Sequence, residues 1–269
     1  MTRTTIALGG TGAIGAEVAR HLAGRLREHY ELTAVTARRA DRAQDLLAGL
    51  GLNAPVVAPH ELAEHADIVV ECAPAPVFRQ IAEPAVERGR LLVPLSAAAL
   101  LDSWDLVRRA ELTGACVHVP TGAFLGLDAV QAAALGGVRS VRLITRKPVA
   151  GLRTAPWFTH HDVDPDSLTE AVRLFHGSPR EAARDFPANV NVAVALSLAG
   201  IGPDRTEMEL WADPAARTNT HRVLVDSDAA QLDFSISGTP SGNPATGLLT
   251  PLSVVALLQK LAASLRIGT

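Results

Sequence analysis

The chain has 269 residues, enough for one large domain or two modest ones around a buried core. Apolar residues make up 48% and charged residues 20%, which excludes a largely disordered chain, and a net charge of -3 with a pI near 6.3 argues against a nucleic-acid binder. Cys72 and Cys116 lie in apolar strand-like runs that suit a reducing compartment. With no leader-like stretch before the first strand and no apolar run long enough to span a bilayer, a cytoplasmic, membrane-free protein is expected.

In chain order, Thr5 to Leu8 is an apolar strand that ends at a run of glycines. Gly15 to Arg27 follows as a helix, with Ile14, Val18, Leu22 and Leu26 on one face. Glu31 to Ala37 reads as a strand, Asp41 to Leu47 as a helix, Asp67 to Glu71 as a strand and Val77 to Arg88 as a helix. Leu91 to Leu95 and Cys116 to Val119 complete a set of five strands. Strand and helix alternating at this spacing predict a parallel sheet with right-handed crossovers, a Rossmann-type α/β domain over residues 1–119.

After Pro120 the pattern changes. Val138 to Thr145, Thr206 to Ala212, His221 to Ser227 and Gln231 to Ser237 alternate like strands of a half-exposed sheet. Helices are expected over Asp166 to Phe175 and after Asn191, and His160-His161-Asp162 reads as a loop rather than a site. Residues 120–249 therefore form an α+β substrate and dimerisation domain. Thr250-Pro251 offers an N-cap and a first-turn proline to a last helix, residues 250–269, that carries Leu252, Val255, Leu258, Leu261 and Leu265 on one face and packs back on the first domain.

The glycine run Gly9-Gly10-Thr11-Gly12-Ala13-Ile14-Gly15 fits two patterns. Gly9, Gly12 and Gly15 match the turn of short-chain reductases, whose catalysis needs a Tyr with a Lys four residues later. The only tyrosine is Tyr30, and Ala34 stands four residues on, so that arrangement is excluded. Gly10, Gly12 and Gly15 match the dinucleotide turn: a tight turn, a close backbone approach to pyrophosphate, and close packing of helix on strand. Gly10, Gly12, Ala13, Ile14 and Gly15 are therefore assigned to a dinucleotide. At the end of the second strand, Thr36-Ala37-Arg38-Arg39 carries no carboxylate before Asp41. Arg38 and Arg39 suit a 2′-phosphate, which favours NADP over NAD, unless both are simply solvated.

His60 and His65 are five apart, whereas zinc pairs on a helix sit four apart, so no metal site is expected there or elsewhere. His221 follows the loop 213–220 between two strands of the second domain, where a general acid/base or a purely structural histidine would both fit.

Several segments together resemble one family, the L-aspartate dehydrogenases. These are the glycine turn, Val69-Val70-Glu71-Cys72-Ala73, Pro120-Thr121-Gly122-Ala123 with Gly126-Leu127-Asp128, and Arg146-Lys147-Pro148. Further along come Phe175-His176-Gly177-Ser178, Phe186 to Ala193, Asp213-Pro214 to Asn219-Thr220-His221, and Asn243-Pro244-Ala245-Thr246. The resemblance implies oxidative deamination of aspartate with NAD or NADP, or reductive amination of oxaloacetate through iminosuccinate. It implies His221 as the catalytic residue and Ala123 and Asn191 on the nicotinamide side. Ala73 joins the cofactor set, while Lys147, Asn189 and Thr121 fall to the substrate, Lys147 pairing with a carboxylate. Thr121 stands for the family's Ser, Phe124-Leu125 for smaller residues and His176 for an acidic one, and the bulk beside Ala123 is expected to reshape the substrate pocket. A related dehydrogenase or imine reductase for another small acid, and a non-catalytic dinucleotide sensor, stay open as alternatives. The small-molecule substrate is joined by a second copy of the chain as the expected partner, in a homodimer.

Overall fold

The computed structural model describes residues 2–124, 126–239 and 247–268. Leu125 and the Asn243–Thr246 motif lie outside them. The chain divides into two compact units, Met1–Pro120 with Pro251–Ile267, and Thr121–Thr250.

In chain order the first unit contains β1 (Thr4–Gly9), α1 (Ala13–Ala23), β2 (Tyr30–Thr36), α2 (Ala40–Gly49), α3 (Leu62–His65), β3 (Ile68–Glu71) and α4 (Phe78–Glu87). It continues with β4 (Leu91–Pro94), α5 (Ala97–Leu101), α6 (Trp104–Thr113) and β5 (Cys116–Val117). The second holds α7 (Leu127–Ala134), β6 (Val138–Lys147), α8 (Pro156–His160), β7 (Val172–Gly177), α9 (Pro179–Asp185), α10 (Asn191–Ala199), β8 (Glu207–Ala212), β9 (Thr220–Ser227) and β10 (Gln231–Ser237). The last helix is α11 (Leu249–Ala262).

The five strands of the first unit pair in parallel in the order β2-β1-β3-β4-β5. With right-handed crossovers, a reversal of strand order between β1 and β3 sends the connecting helices to opposite faces, the doubly wound α/β arrangement. Ile6 to Leu8 of β1 and Ile68 to Val70 of β3 are apolar and buried on both faces, as a covered parallel sheet requires. α1 ends at Ala23, earlier than the apolar spacing suggests, because Gly24 caps it; Leu26 still reaches the core from the following turn.

Tyr30 is spent on structure. Its buried hydroxyl donates to the Leu258 carbonyl at 2.7 Å and ties β2 to α11. α11 starts at Leu249, so Thr250 lies inside it, and Pro251 occupies the first turn, where a missing N–H removes no helical bond. Its buried stripe is Pro251, Val254, Val255, Leu257 and Leu258; Leu252 and Leu265 are exposed, the latter beyond the helix end. The expected single leucine face is thus corrected.

The second unit is built on a mixed sheet, β10-β9-β6-β8-β7, in which β6 and β8 are parallel and the remaining pairs antiparallel. The helix expected over Asp166 to Phe175 is not formed. A short turn at Pro165–Ser167 leads instead to β7. Val172 and Phe175 favour a strand, and pairing with β8 overrides the local helix preference of Ser167 to Ala171. His160 lies in a helical turn, α8, where a loop is expected from sequence, and His161 follows it, stacked on Trp157.

The alternation along β6 gives the sheet two faces. Val141, Leu143, Thr145 and Lys147 are buried, and the intervening Arg142, Ile144 and Arg146 are partly exposed. Val223, Val225 and His221 of β9 share the buried face, since their register opposes them to Leu143, Val141 and Thr145.

Candidate active site

In the first unit the glycine turn lies at the carboxyl end of β1, where Gly9 opposes Glu71 of β3. Between these two strands the order reverses, which is where open α/β sheets bind ligands. Gly10 has φ +133°, and a Cβ there would lie 2.7 Å from the Cys72 carbonyl oxygen. A Cβ on Gly15 would collide with the Gly10 carbonyl. Both glycines are therefore required by the fold itself.

Gly12 differs. A Cβ there would meet nothing within 4 Å, and its φ of -72° suits any residue. Open space faces the start of α1, which has no side-chain cap and no acidic residue in its first turn. The N–H groups of Ala13, Ile14 and Gly15 lack intrahelical partners by geometry, and the helix dipole adds positive potential. A pyrophosphate fits this end of α1.

Glu71 ends β3 fully buried. Its carboxylate accepts from Ala73 N at 3.1 Å, Ser96 N at 3.0 Å and Ser96 Oγ at 3.0 Å. It thereby joins the loops after β3 and β4 beside the glycine turn. Burial pushes its pKa up to about 7, against the stabilising hydrogen bonds from Ser96 and Ala73. The sequence names Ala73 but not this clamp; a carboxylate closing the apolar run Ile68-Val69-Val70 is the signal for it.

Arg38 and Arg39 follow β2 and are exposed. Arg39 occupies the N-cap position of α2 without a side-chain capping bond and bridges to Asp41, Nη2 to Oδ2 at 2.7 Å. An exposed bridge of this kind is worth little and opens readily for a better anion.

The second unit gathers a polar group on the buried face of its sheet. Lys147, the last residue of β6, is 5% exposed, and its Nζ donates to Asn189 Oδ1 at 3.0 Å. No carboxylate pairs with it among the described residues. Burial draws its pKa down to about 8. His221 is 4% exposed and sits opposite Thr145 across the β6–β9 pair, with Thr145 Oγ1 and His221 Nδ1 3.0 Å apart. Burial first, then the Lys147 charge, pulls the imidazole down to about 3, so it is neutral across the physiological range. The hydroxyl of Thr145 serves either tautomer, donating to a bare Nδ1 or accepting from Nδ1–H. Nε2 is left as the working nitrogen, and the group can take or return a proton.

Asp213 fixes the turn before His221. Its carboxylate accepts from Ala215 N at 2.8 Å and from Arg146 Nη1 at 3.2 Å, and its N–H donates to the Lys147 carbonyl at 2.9 Å. Among the predicted site residues, the structure brings Lys147, Asn189 and His221 together and adds Thr145. Asn191 opens α10 two residues beyond Asn189. Thr121 and Ala123 lie on a separate turn, closed by Phe124 N donating to the Thr121 carbonyl at 3.1 Å. Phe124 is buried edge-on against Phe234, centroids 5.9 Å apart.

Residues 128–261 match the family profile "Aspartate dehydrogenase, C-terminal", and residues 10–120 match "Homoserine dehydrogenase, NAD binding domain". The L-aspartate dehydrogenase of Bradyrhizobium diazoefficiens is 50% identical over 264 residues, covering 98% of this chain and 94% of that protein. L-aspartate dehydrogenase 3 of Bordetella bronchiseptica is likewise 50% identical, covering 98% and 97%. The chain belongs to the L-aspartate dehydrogenase family. The aspartate dehydrogenase of Thermotoga maritima shares the fold of this family member over the whole of both chains, with a TM-score of 0.72 at 22% identity. The first unit is thus the nicotinamide-dinucleotide domain of a family member, with the glycine turn at its start. No helix among the described residues is long and apolar enough to cross a membrane.

Proposed function

We propose that the protein oxidises L-aspartate to oxaloacetate and ammonia through iminosuccinate, and runs the reverse reductive amination, with NADP preferred over NAD. The observation that carries this reading is Lys147: a buried cation without a carboxylate partner among the described residues, on the same sheet face as a buried neutral His221. A site built that way is short of one anion, and a dicarboxylate supplies it.

When bound, the nicotinamide supplies the hydride acceptor at the amino-acid α-carbon. Gly10, Gly12, Ala13, Ile14, Gly15 and Ala73 hold the dinucleotide, with Ala123 and Asn191 on the nicotinamide side. Arg38 and Arg39 meet a 2′-phosphate, Arg39 by exchanging Asp41 for it. Lys147 takes a substrate carboxylate, with Asn189 orienting its ammonium and Thr121 lending a hydroxyl to the substrate. Once the Lys147 charge is neutralised by that carboxylate, one of the two causes that depress His221 is removed and the imidazole becomes more basic. His221 then removes a proton from the water that adds to the imine carbon and returns one as ammonia departs. Basicity that rises only with substrate in place keeps the base from protonating beforehand.

Free Cys72 and Cys116 support work in a reducing, cytoplasmic compartment, and a homodimer built through the second unit belongs to the same reading. A dinucleotide sensor would have no use for the Lys147–His221 group. The test is a panel of amino acids offered with NAD and with NADP. Reduction with L-aspartate, faster with NADP, supports the proposal; reduction only with another amino acid refutes it.

A further inference from the structure

Two residues before His221 stands a buried polar atom that neither packing nor the steps above use. Asn219 Oδ1 is buried and has no hydrogen-bond partner among the described residues. Its position follows from register. β9 pairs with β6 as Thr145 to His221 and Arg146 to Thr220, where the paired register ends; continued by one residue, it would set Asn219, just before β9, opposite Lys147. On the other side, Ser237 opposes Thr220, and Gly238 N donates to the Asn219 carbonyl at 2.9 Å, so strand pairing continues through Asn219. Side chains two apart on a strand share a face and cross-strand partners bring their Cβ atoms to about 5 Å, so the continued register would put Asn219 on the His221 face, near Lys147.

A buried amide oxygen without a donor is costly, and proteins keep such an atom where a ligand completes it. No side chain among the described residues donates to it: Lys147 Nζ donates to Asn189 and His221 Nδ1 meets Thr145, and the two further N–H groups of Lys147 are left for a carboxylate. It is not a carboxylate, which has only acceptors. An N–H donor small enough to lie between a carboxylate on Lys147 and the imidazole of His221 is an amine on the carbon next to that carboxylate.

We infer that Asn219 is a substrate-binding residue whose Oδ1 accepts an N–H from the α-amino group of the amino acid, or from ammonia in the reverse reaction. This deepens the aspartate reading and rests on it. A neutral acceptor suits the task. It holds the amine by one N–H and leaves the nitrogen lone pair free, whereas a carboxylate at this position would pair with Lys147 and remove the anion site.

The test is steady-state reductive amination by the purified full chain, varying ammonium, oxaloacetate and NADPH in turn, for wild type and Asn219→Ala. The expected result is a rise of at least tenfold in KM for ammonium, with KM for oxaloacetate and Kd for NADPH within twofold of wild type. The main-chain bond to Gly238 is kept and the unpaired oxygen is removed, so Tm is expected to stay level or rise. Asn219→Ser, which retains a shorter acceptor, is expected to recover part of the ammonium affinity and carries the test if the alanine variant misfolds. An unchanged KM for ammonium in an active enzyme overturns the inference and leaves the aspartate reading intact. So does a rise confined to KM for oxaloacetate, the signature of an amide NH₂ serving a carboxylate. A wild-type protein that turns over neither aspartate nor oxaloacetate overturns both.

Discussion

Two glycines of one turn separate folding from binding. Gly15→Ala drives a methyl group into the Gly10 carbonyl and within 3.1 Å of Cys72 Sγ. Overpacking of that kind costs about 1–3 kcal/mol, or roughly 3–10 °C of Tm for a protein of this size. Gly12→Ala meets nothing within 4 Å and keeps an ordinary φ. Alanine at an N-cap loses about 0.5–1 kcal/mol relative to glycine, and a gain of about 0.4–1 kcal/mol from the stiffer unfolded chain offsets it. The Gly12 variant is therefore expected to melt within about 3 °C of wild type. Its methyl group occupies the space that a pyrophosphate needs against α1, so the Kd for the dinucleotide is expected to rise at least tenfold, about 1.4 kcal/mol. Thermal melts with and without dinucleotide, beside a calorimetric titration, read both quantities. Wild-type affinity in Gly12→Ala would refute the assignment of the α1 N-terminus as the pyrophosphate site.

Lys147→Met tests the missing anion. The lysine pKa falls from 10.5 to about 8 on folding, so at pH 7 both states are charged and the folded one carries a burial cost of about 3 kcal/mol. That cost fades as pH rises from 8 to 10.5. The variant is expected to gain stability relative to wild type at pH 7, less about 1–3 kcal/mol for the Asn189 oxygen left unpaired, and to lose the advantage by pH 10.5. A difference in Tm that does not change with pH would show that Lys147 is not a buried cation, and KM for L-aspartate should rise at least tenfold in the same variant. Arg38→Ala is expected to weaken NADPH several-fold and leave NADH unchanged, as two fluorescence titrations would report; equal weakening of both would remove Arg38 from cofactor choice.

Local patterns made much of this molecule legible. The glycine turn, the five strands of the first unit and the alternation along β6 and β9 depend on neighbours in sequence. Lys147 betrays itself there, as a charged residue in the buried phase of an alternating strand. What the sequence hides depends on pairing at a distance. Thr145 matters because the register of β6 on β9 sets it against His221, 76 residues away. Asn219 gains its meaning from the same register continued by one residue. β7 forms where a helix is expected because β8 offers it an edge, and Glu71 becomes a clamp only when the β4 loop brings Ser96 to it. Resemblance to the family supplied His221 its role, where spacing alone favoured a structural histidine.

The central claim is that His221 moves the proton while the glycine turn holds the dinucleotide, and turnover of His221→Ala with L-aspartate tests it most directly. The account predicts that turnover falls by at least 10²-fold while the Kd for NADPH stays within twofold of wild type. Turnover at the wild-type rate in that variant would contradict it.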